Sequence, residues 1–300
     1  MKNAIKVICF VLAVILIGAG TFYFVFKWGK TDFETTDGLK DGTVTISSYI
    51  GDSVNIVIPN KIRGKKVVGI DKNAFKKTDI ESVKLNEYIT SIGESCFESC
   101  PNLESVDLSN VQALGNRCLS DCPKLEKVTI PETVVKLGDL MFGNDAGLKE
   151  VTFESDEHFK IVDDIIYSSD MTTLYETLPY ATFTSYTVPD TVTVLNSGSF
   201  SFNKKIKSIT LGKNVKKISE STFIMCESLT DVKLNNTAQE IGALAFSGTG
   251  ITSITIPKSI IKIDDNAFYK LEDKLTIRTT ANSNAEYFAK EKGFKYEIVK

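Results

Sequence analysis

The chain has 300 residues, 42% hydrophobic and 24% charged, with a net charge of −3, which exerts no general pull toward nucleic acid or a membrane surface. It holds one histidine and has no Walker loop, dinucleotide-binding fingerprint, G-x-S-x-G or H-E-x-x-H motif, so nucleotide-dependent, serine-triad and zinc-hydrolase chemistry have no sequence support. Three hundred residues is also long for a single globular core.

At the N-terminus, Lys2 and Lys6 precede an uncharged run from Val7 to Phe26. As a helix this run spans about 30 Å, enough to cross a bilayer. Residues 1–30 are therefore expected to form an uncleaved N-terminal transmembrane helix, with Phe22, Tyr23, Phe24, Phe26 and Trp28 as an aromatic belt. A cleaved signal is the alternative, with Gly18-Ala19-Gly20 as the peptidase site. Residues 31–40 are polar and read as a short stalk.

From residue 41 to 298 the chain repeats. Closing apolar residues stand at Phe75, Phe97, Leu119 and Phe142, then at Phe200, Phe223, Phe246 and Phe268, spaced by 22 or 23 residues. Opening residues Ile80, Leu103, Leu125, Leu148, Ile206, Leu229 and Ile251 keep the same phase. A period of this length with this apolar spacing predicts a leucine-rich repeat solenoid. In each coil an alternating x-V-x-I stretch forms a strand. Pro59, Pro131, Pro189 and Pro257 end their strands for want of an N–H. The segment leading to the closing aromatic returns the chain as a turn or a short helix. The expected class is an α/β-type, β-rich, right-handed solenoid.

Two segments depart from the repeat. The 58 residues between Phe142 and Phe200 hold one repeat plus an acidic insertion over about 154–187. At the other end, residues 275–298 read as a cap. Leu275 and Ile277 lie in a last strand, a helix runs from Ser283 toward Gly293, and Phe294, Tyr296 and Ile298 alternate as a final strand.

Candidate chemistry is sparse. Cys96 and Cys118 occupy the small position filled elsewhere by Ala74, Ala245 and Ala267, and Cys100, Cys122 and Cys226 all follow the closing apolar residue by three. These columns read as core packing, with a disulfide between coils as the alternative and metal binding less favoured still. His158 stands alone in the insertion and reads as a solvated turn residue. No catalytic, cofactor-binding or metal-ligating residue is assigned. The best-defined surface is the outward ladder of the strands: Lys84, Asp107, Lys127, Thr129, Thr152, Thr187, Thr210, Lys233 and Thr255. A second candidate is the basic patch Lys204, Lys205, Lys207, Lys213, Lys216 and Lys217, which would attract an anionic surface polymer.

The stretch Leu125-x-x-Val128-x-Ile130-Pro131-x-x-Val134-x-x-Leu137-Gly138, with Ile241-Gly242-x-x-Ala245-Phe246, resembles the BspA-type leucine-rich repeat of bacterial and protist surface proteins. The resemblance extends over about residues 41–298, with Leu119 in place of a closing Phe as one departure. It implies extracellular display, adhesion to proteins or glycans, and no catalytic residues. The expectation is a single-pass cell-membrane protein, or less favourably a secreted one, whose extracellular domain binds a protein, a glycan or an anionic polymer. It needs no cofactor and has no nucleic-acid partner. The alternative function is a structural subunit of a cell-envelope complex.

Overall fold

A computed structural model describes the backbone of residues 8–17 and 21–300, and the side chains from residue 31 onward. Part of the expected transmembrane helix, residues 1–7 and 18–20, lies outside the described residues. In the rest of that segment, Ile8–Ile17 and Thr21–Lys30 pair as antiparallel strands. The structure thus does not show the expected helix. No helix among the described residues is long and apolar enough to cross a membrane.

The remainder is a β-solenoid with two strand ladders. The first is the x-V-x-I face. Asn55–Val57, Ser82–Lys84 and Ser105–Val106 form one parallel sheet, and Lys127–Ile130 and Glu150–Phe153 a second. Ser185–Thr187, Ser208–Thr210, Asp231–Lys233, Ser253–Thr255, Thr276–Thr279 and Lys295–Ile298 form a third. The second ladder is built from shorter strands such as Ser91–Ile92, Ala113–Leu114, Lys217–Ile218, Glu240–Ile241 and Lys262–Ile263.

The α/β-type expectation is corrected here. No helix occurs within a described coil; the one described helix, α1 (Asn284–Lys292), belongs to the C-terminal segment. The cause lies in the return segment. Two residues before the closing residue, Asn73, Ser95, Arg117, Leu140, Ser221 and Leu244 have positive φ. Two residues after it, Lys77, Ser99, Asp121, Asn144, Phe202, Met225 and Lys270 do the same. A left-handed residue twice within five positions forbids an α-helix, at a cost of about 1–2 kcal/mol per non-glycine residue.

That cost is offset between coils. The N–H groups of Ser95, Phe97 and Ser99 donate to the carbonyls of Asn116, Cys118 and Ser120, at 2.8, 2.9 and 3.0 Å. The pattern recurs from Ser221, Phe223 and Met225 to Ala243, Ala245 and Ser247. The turns thus make a third hydrogen-bonded ladder. Its close stacking explains the glycine that follows the Ile or Leu of the second ladder: a Cβ on Gly115 would stand 2.5 Å from Glu94 N, and one on Gly138 2.3 Å from Asn116 N.

Inside the coils the closing aromatics stack. Phe75–Phe97, Phe200–Phe223, Phe223–Phe246 and Phe246–Phe268 lie 5.2–5.4 Å apart at interplanar angles of 7–28°, an offset geometry that adds to their burial. Tyr49 covers one end of the column, 5.4 Å from Phe75. Phe288 and Phe294 cover the other, each 6.0 Å from Phe268. Phe288 is carried by α1, whose N-cap Ser283 accepts the Glu286 N–H and whose C-cap Gly293 is left-handed.

The core is divided. One apolar cluster runs from Val44 to Phe159 and takes in Ile166 and Leu178; the other runs from Ile165 to Phe294. Between them stands the three-stranded antiparallel sheet Phe159–Val162, Ile165–Ser168 and Thr173–Thr177. Alternation along the middle strand sends Ile165 and Tyr167 to the second cluster and Ile166 to the first. The last strand then pairs parallel with Val194–Leu195 and rejoins the solenoid.

Candidate functional site

The outward ladder residues all stand on first-ladder strands or directly after them. Lys84, Lys127, Thr129, Thr152, Thr187, Lys233 and Thr255 are exposed, and Asp107 and Thr210 are half-buried. Thr129 faces Thr152 in register, their hydroxyls 3.2 Å apart, and Thr187 faces Thr210. The two threonine pairs belong to separate sheets, with the antiparallel insertion between strands Glu150–Phe153 and Ser185–Thr187. Lys127 is tied to Glu150 at 2.8 Å. At the break between the first two sheets, Val106, Leu119, Lys127 and Pro131 help line a cleft of about 280 Å³. It opens where Leu119 replaces an aromatic.

In the basic patch Lys204, Lys205, Lys207, Lys213, Lys216 and Lys217 are exposed. Lys213 pairs with Asp190 at 2.8 Å and Lys217 with Glu240 at 3.6 Å. Both pairs span one coil, so part of the patch braces neighbouring coils. Near the first coil, Lys65, Lys72 and Lys76 are likewise paired, with Asp37, Glu94 and Glu98. His158 is exposed beside Phe159. Among the described residues no group of three or more His, Cys, Asp or Glu could hold a metal ion.

Cys96, Cys100, Cys118, Cys122 and Cys226 are buried free thiols. Cys9 lies where side chains are not described. The column three residues after the closing position has a polar job that its spacing did not disclose. The Sγ–H of Cys100, Cys122 and Cys226 donates to the carbonyl of Phe75, Phe97 and Phe200 in the preceding coil, at 3.1, 3.1 and 3.0 Å. Burial pushes the thiols up, Cys226 to about 12. A thiol reagent at pH 8 is therefore expected to leave these five untouched in the native chain and to label all five after denaturation without reductant. A mass showing a Cys96–Cys118 bridge would count against this. Cys100→Ala is expected to cost about 1 kcal/mol, since Thr78 still donates to the Phe75 carbonyl.

At the junction of the two cores the repeat columns are broken by three residues that sequence reasoning missed. The N–H of Thr177 donates to Ser199 O as that of Phe200 donates to Thr222 O, so Thr177 stands in the closing aromatic's place. Glu176 then occupies the small-residue place. Asp145 occupies the column of Cys100 and Cys122. The signal was in the spacing: 23 residues back from Phe200 falls on Thr177.

Both carboxyls are buried, Glu176 at 5% exposure and Asp145 at 0%. The Phe142 N–H donates to Glu176 Oε1 and Oε2 at 3.2 Å each. The Cys122 N–H donates to Asp145 Oδ1 at 2.5 Å. Asp145 Oδ2, Thr177 Oγ1 and Ser199 Oγ are buried without a partner. Burial pushes both carboxyls up to about 8, opposed in part by the N–H groups they accept.

A family described as the BspA type leucine rich repeat region matches residues 52–173 and 162–276, with six copies of the repeat. No curated protein matches the chain. Among solved structures, the pneumococcal vaccine antigen PcpA is similar with a TM-score of 0.60 and 18% identity, over 90% of this chain and 98% of that one. A leucine rich cell surface protein from Faecalibacterium prausnitzii reaches a TM-score of 0.47 at 17% identity, over 91% and 95% of the two chains. A leucine-rich repeat protein from Bacteroides ovatus reaches 0.47 at 23%, over 88% of this chain and 65% of that one. At these identities the likeness to PcpA speaks for the fold alone.

Proposed function

We propose that this chain, which belongs to the BspA-type leucine-rich repeat family, is displayed on a cell surface and binds extracellular proteins or glycans through the outer face of its first ladder. The observation that carries this reading is the in-register row of polar side chains, Thr187, Thr210, Lys233, Thr255 and Arg278, repeated coil after coil at the strand spacing of about 4.8 Å. Such a row suits weak contacts repeated along a polymer. Binding strength then comes from many copies engaging together. On the strands named above the face carries no Trp, and Arg278 is tied to Glu297 at 3.3 Å, so it offers little of the anchoring of a tight protein interface. Its role is recognition and not catalysis.

The apolar run Val7–Phe26 is the proposed tether, by which the solenoid is held outside the membrane. Full-length protein should then fractionate with membranes, resist carbonate extraction and be cleaved by protease added to intact cells. Release of a mature chain beginning near Thr21 would replace the tether with a cleaved signal. A glycan and matrix-protein array tests the ladder itself. Specific capture only of a membrane partner from the same cell would make the chain an envelope scaffold instead.

The basic patch adds a charge-dependent contribution. Lys207 and Lys216 are exposed, and they avoid the two ion pairs that brace the coils. Replacing both with Glu should slow association with an immobilised phosphate polymer and flatten its salt dependence without lowering the melting temperature. Binding that is unchanged between low and high salt would remove charge from the reading.

A further inference from the structure

The aromatic column stops at the junction. Phe142 and Phe200 are closing residues of coils on either side of Thr177, and Thr177 brings no ring to the place between them. The space left is a cleft of about 320 Å³ whose lining includes Phe142, Asp145, Glu176, Thr177, Lys204 and Lys205. A gap of this kind in a solenoid is usually filled by larger apolar side chains, because an unfilled core position sacrifices dispersion contacts. Here, beside apolar Leu178, Pro179, Ala181 and Phe202, the lining holds polar groups whose bonding is incomplete. Asp145 Oδ2 and Thr177 Oγ1 are buried and have no partner in the protein, which carries a cost of about 1–3 kcal/mol each. Deep in the cleft stand two carboxyls; the lysines on its lining are exposed.

We propose that this cleft binds a small zwitterion, with its ammonium end inward against Asp145, Glu176 and the Thr177 hydroxyl, and its anionic end outward toward Lys204 and Lys205. The assignment follows from the order of charges along the cleft. An ammonium donates three N–H bonds and accepts none. It therefore matches Asp145 Oδ2, Thr177 Oγ1 and the carboxylate lone pairs of Glu176 that the Phe142 N–H leaves open. A plain amine would meet the same carboxyls but pass two lysines with no counter-charge. A plain anion would suit the lysines but offers no N–H donors to the inner carboxyl oxygens.

The protonation states support this direction. Without a cation, burial holds Asp145 and Glu176 near pKa 8, so both are mostly protonated at pH 7. An ammonium restores the missing positive charge and lets them ionise, so binding releases protons and tightens as pH rises from 6 to 8. The other charged groups around the pair do not reverse this sign. Asp121 and Asp139 add negative charge to it. Cys118 and Cys122 stay neutral because burial raises their thiols far above this range.

The cleft is independent of the ladder face, so this assignment and the proposed adhesion stand or fall separately. The test is calorimetry on the full chain with 6-aminohexanoate, 4-aminobutyrate and glycine as zwitterions of decreasing length, and with hexylamine and hexanoate as single-ended controls. At least one zwitterion should bind at least tenfold more tightly than either control, with proton release detected by changing the buffer's ionisation enthalpy. Thr177→Phe, which refills the gap, and Asp145→Asn, which removes the inward charge at nearly constant shape, should each weaken binding at least tenfold. Two variants are needed because a phenylalanine that does not seat would disturb the junction. Hexylamine binding as well as 6-aminohexanoate would overturn the zwitterion assignment. So would equal binding by Asp145→Asn with an unchanged melting temperature, or no saturable binding by any of the three zwitterions.

Discussion

Phe97→Ala is expected to destabilise the solenoid by about 3–5 kcal/mol, whereas Thr129→Ala should cost well under 1 kcal/mol. Phe97 has no exposed surface and lies 5.2 Å from Phe75 in the aromatic column. Its backbone is held on both sides, by its own N–H to Cys118 O and by the Cys122 thiol on its carbonyl. Relaxation around a missing ring is therefore limited, and the loss should sit at the upper end of what a cavity costs. Thr129 is exposed and shares one hydroxyl contact with Thr152. Urea denaturation of the two variants separates the cases. Similar midpoints would mean that the Phe97 ring does not lie in the core.

Stability should fall as pH rises from about 5 to 8 and then level off. Asp145 and Glu176 titrate near 8 in the folded chain and near 4 once unfolded. Between those values the folded state holds protons that the unfolded state has released, so the slope is negative. Each fully buried carboxyl contributes up to about 1.4 kcal/mol per pH unit in that window. Carboxylates held low act in the opposite sense, and only at lower pH. Asp170 is held down to about 2 by the Ser168 hydroxyl and the Thr172 N–H, and Asp190 is lowered by hydrogen bonding to Lys213. Their stabilisation is complete above about pH 5, so the slope in the range measured comes from carboxyls that burial raises: the buried pair and, in the same sense, Asp139. Glu176→Gln keeps an acceptor for the Phe142 N–H and removes one titration. It should be more stable than the parent at pH 8.5 and about equal to it at pH 5. A parent melting temperature that does not change between pH 5 and 8 would show that the two carboxyls are already ionised.

Most of the architecture was legible because it is periodic. Two columns kept in one phase over the chain are enough to place strands and closing aromatics, and Phe97, Phe223 and Phe268 are buried as their column requires. The absence of helix from the coils was harder to read. It depends on left-handed backbone at Ser95, Arg117 and Leu244, side chains with no shared preference for that conformation; the hydrogen bonds between coils select it. The polar role of the cysteine column was equally hidden, since a thiol three residues after an aromatic looks like filler until the carbonyl of the previous coil is in view. Paired lysines such as Lys213 and Lys217 belong to the same class, for their partners lie 23 residues away. The junction was legible in principle, because a register counted backward from Phe200 exposes Glu176 and Thr177 as misfits in their columns. On the outer ladder every strand offers similar side chains, and nothing in one sequence ranks them.

The strand Ile165–Ser168 gives its alternate side chains to different cores. In an unbroken stack of coils, fraying that begins at one end advances through identical neighbours and meets no natural stopping point. Here such a front, moving from Val44 or from Phe294, arrives at a sheet whose other face still belongs to an intact assembly. The insertion is expected to work as a firebreak, so that each half of the molecule can lose and regain its outer coils while the far half stays folded.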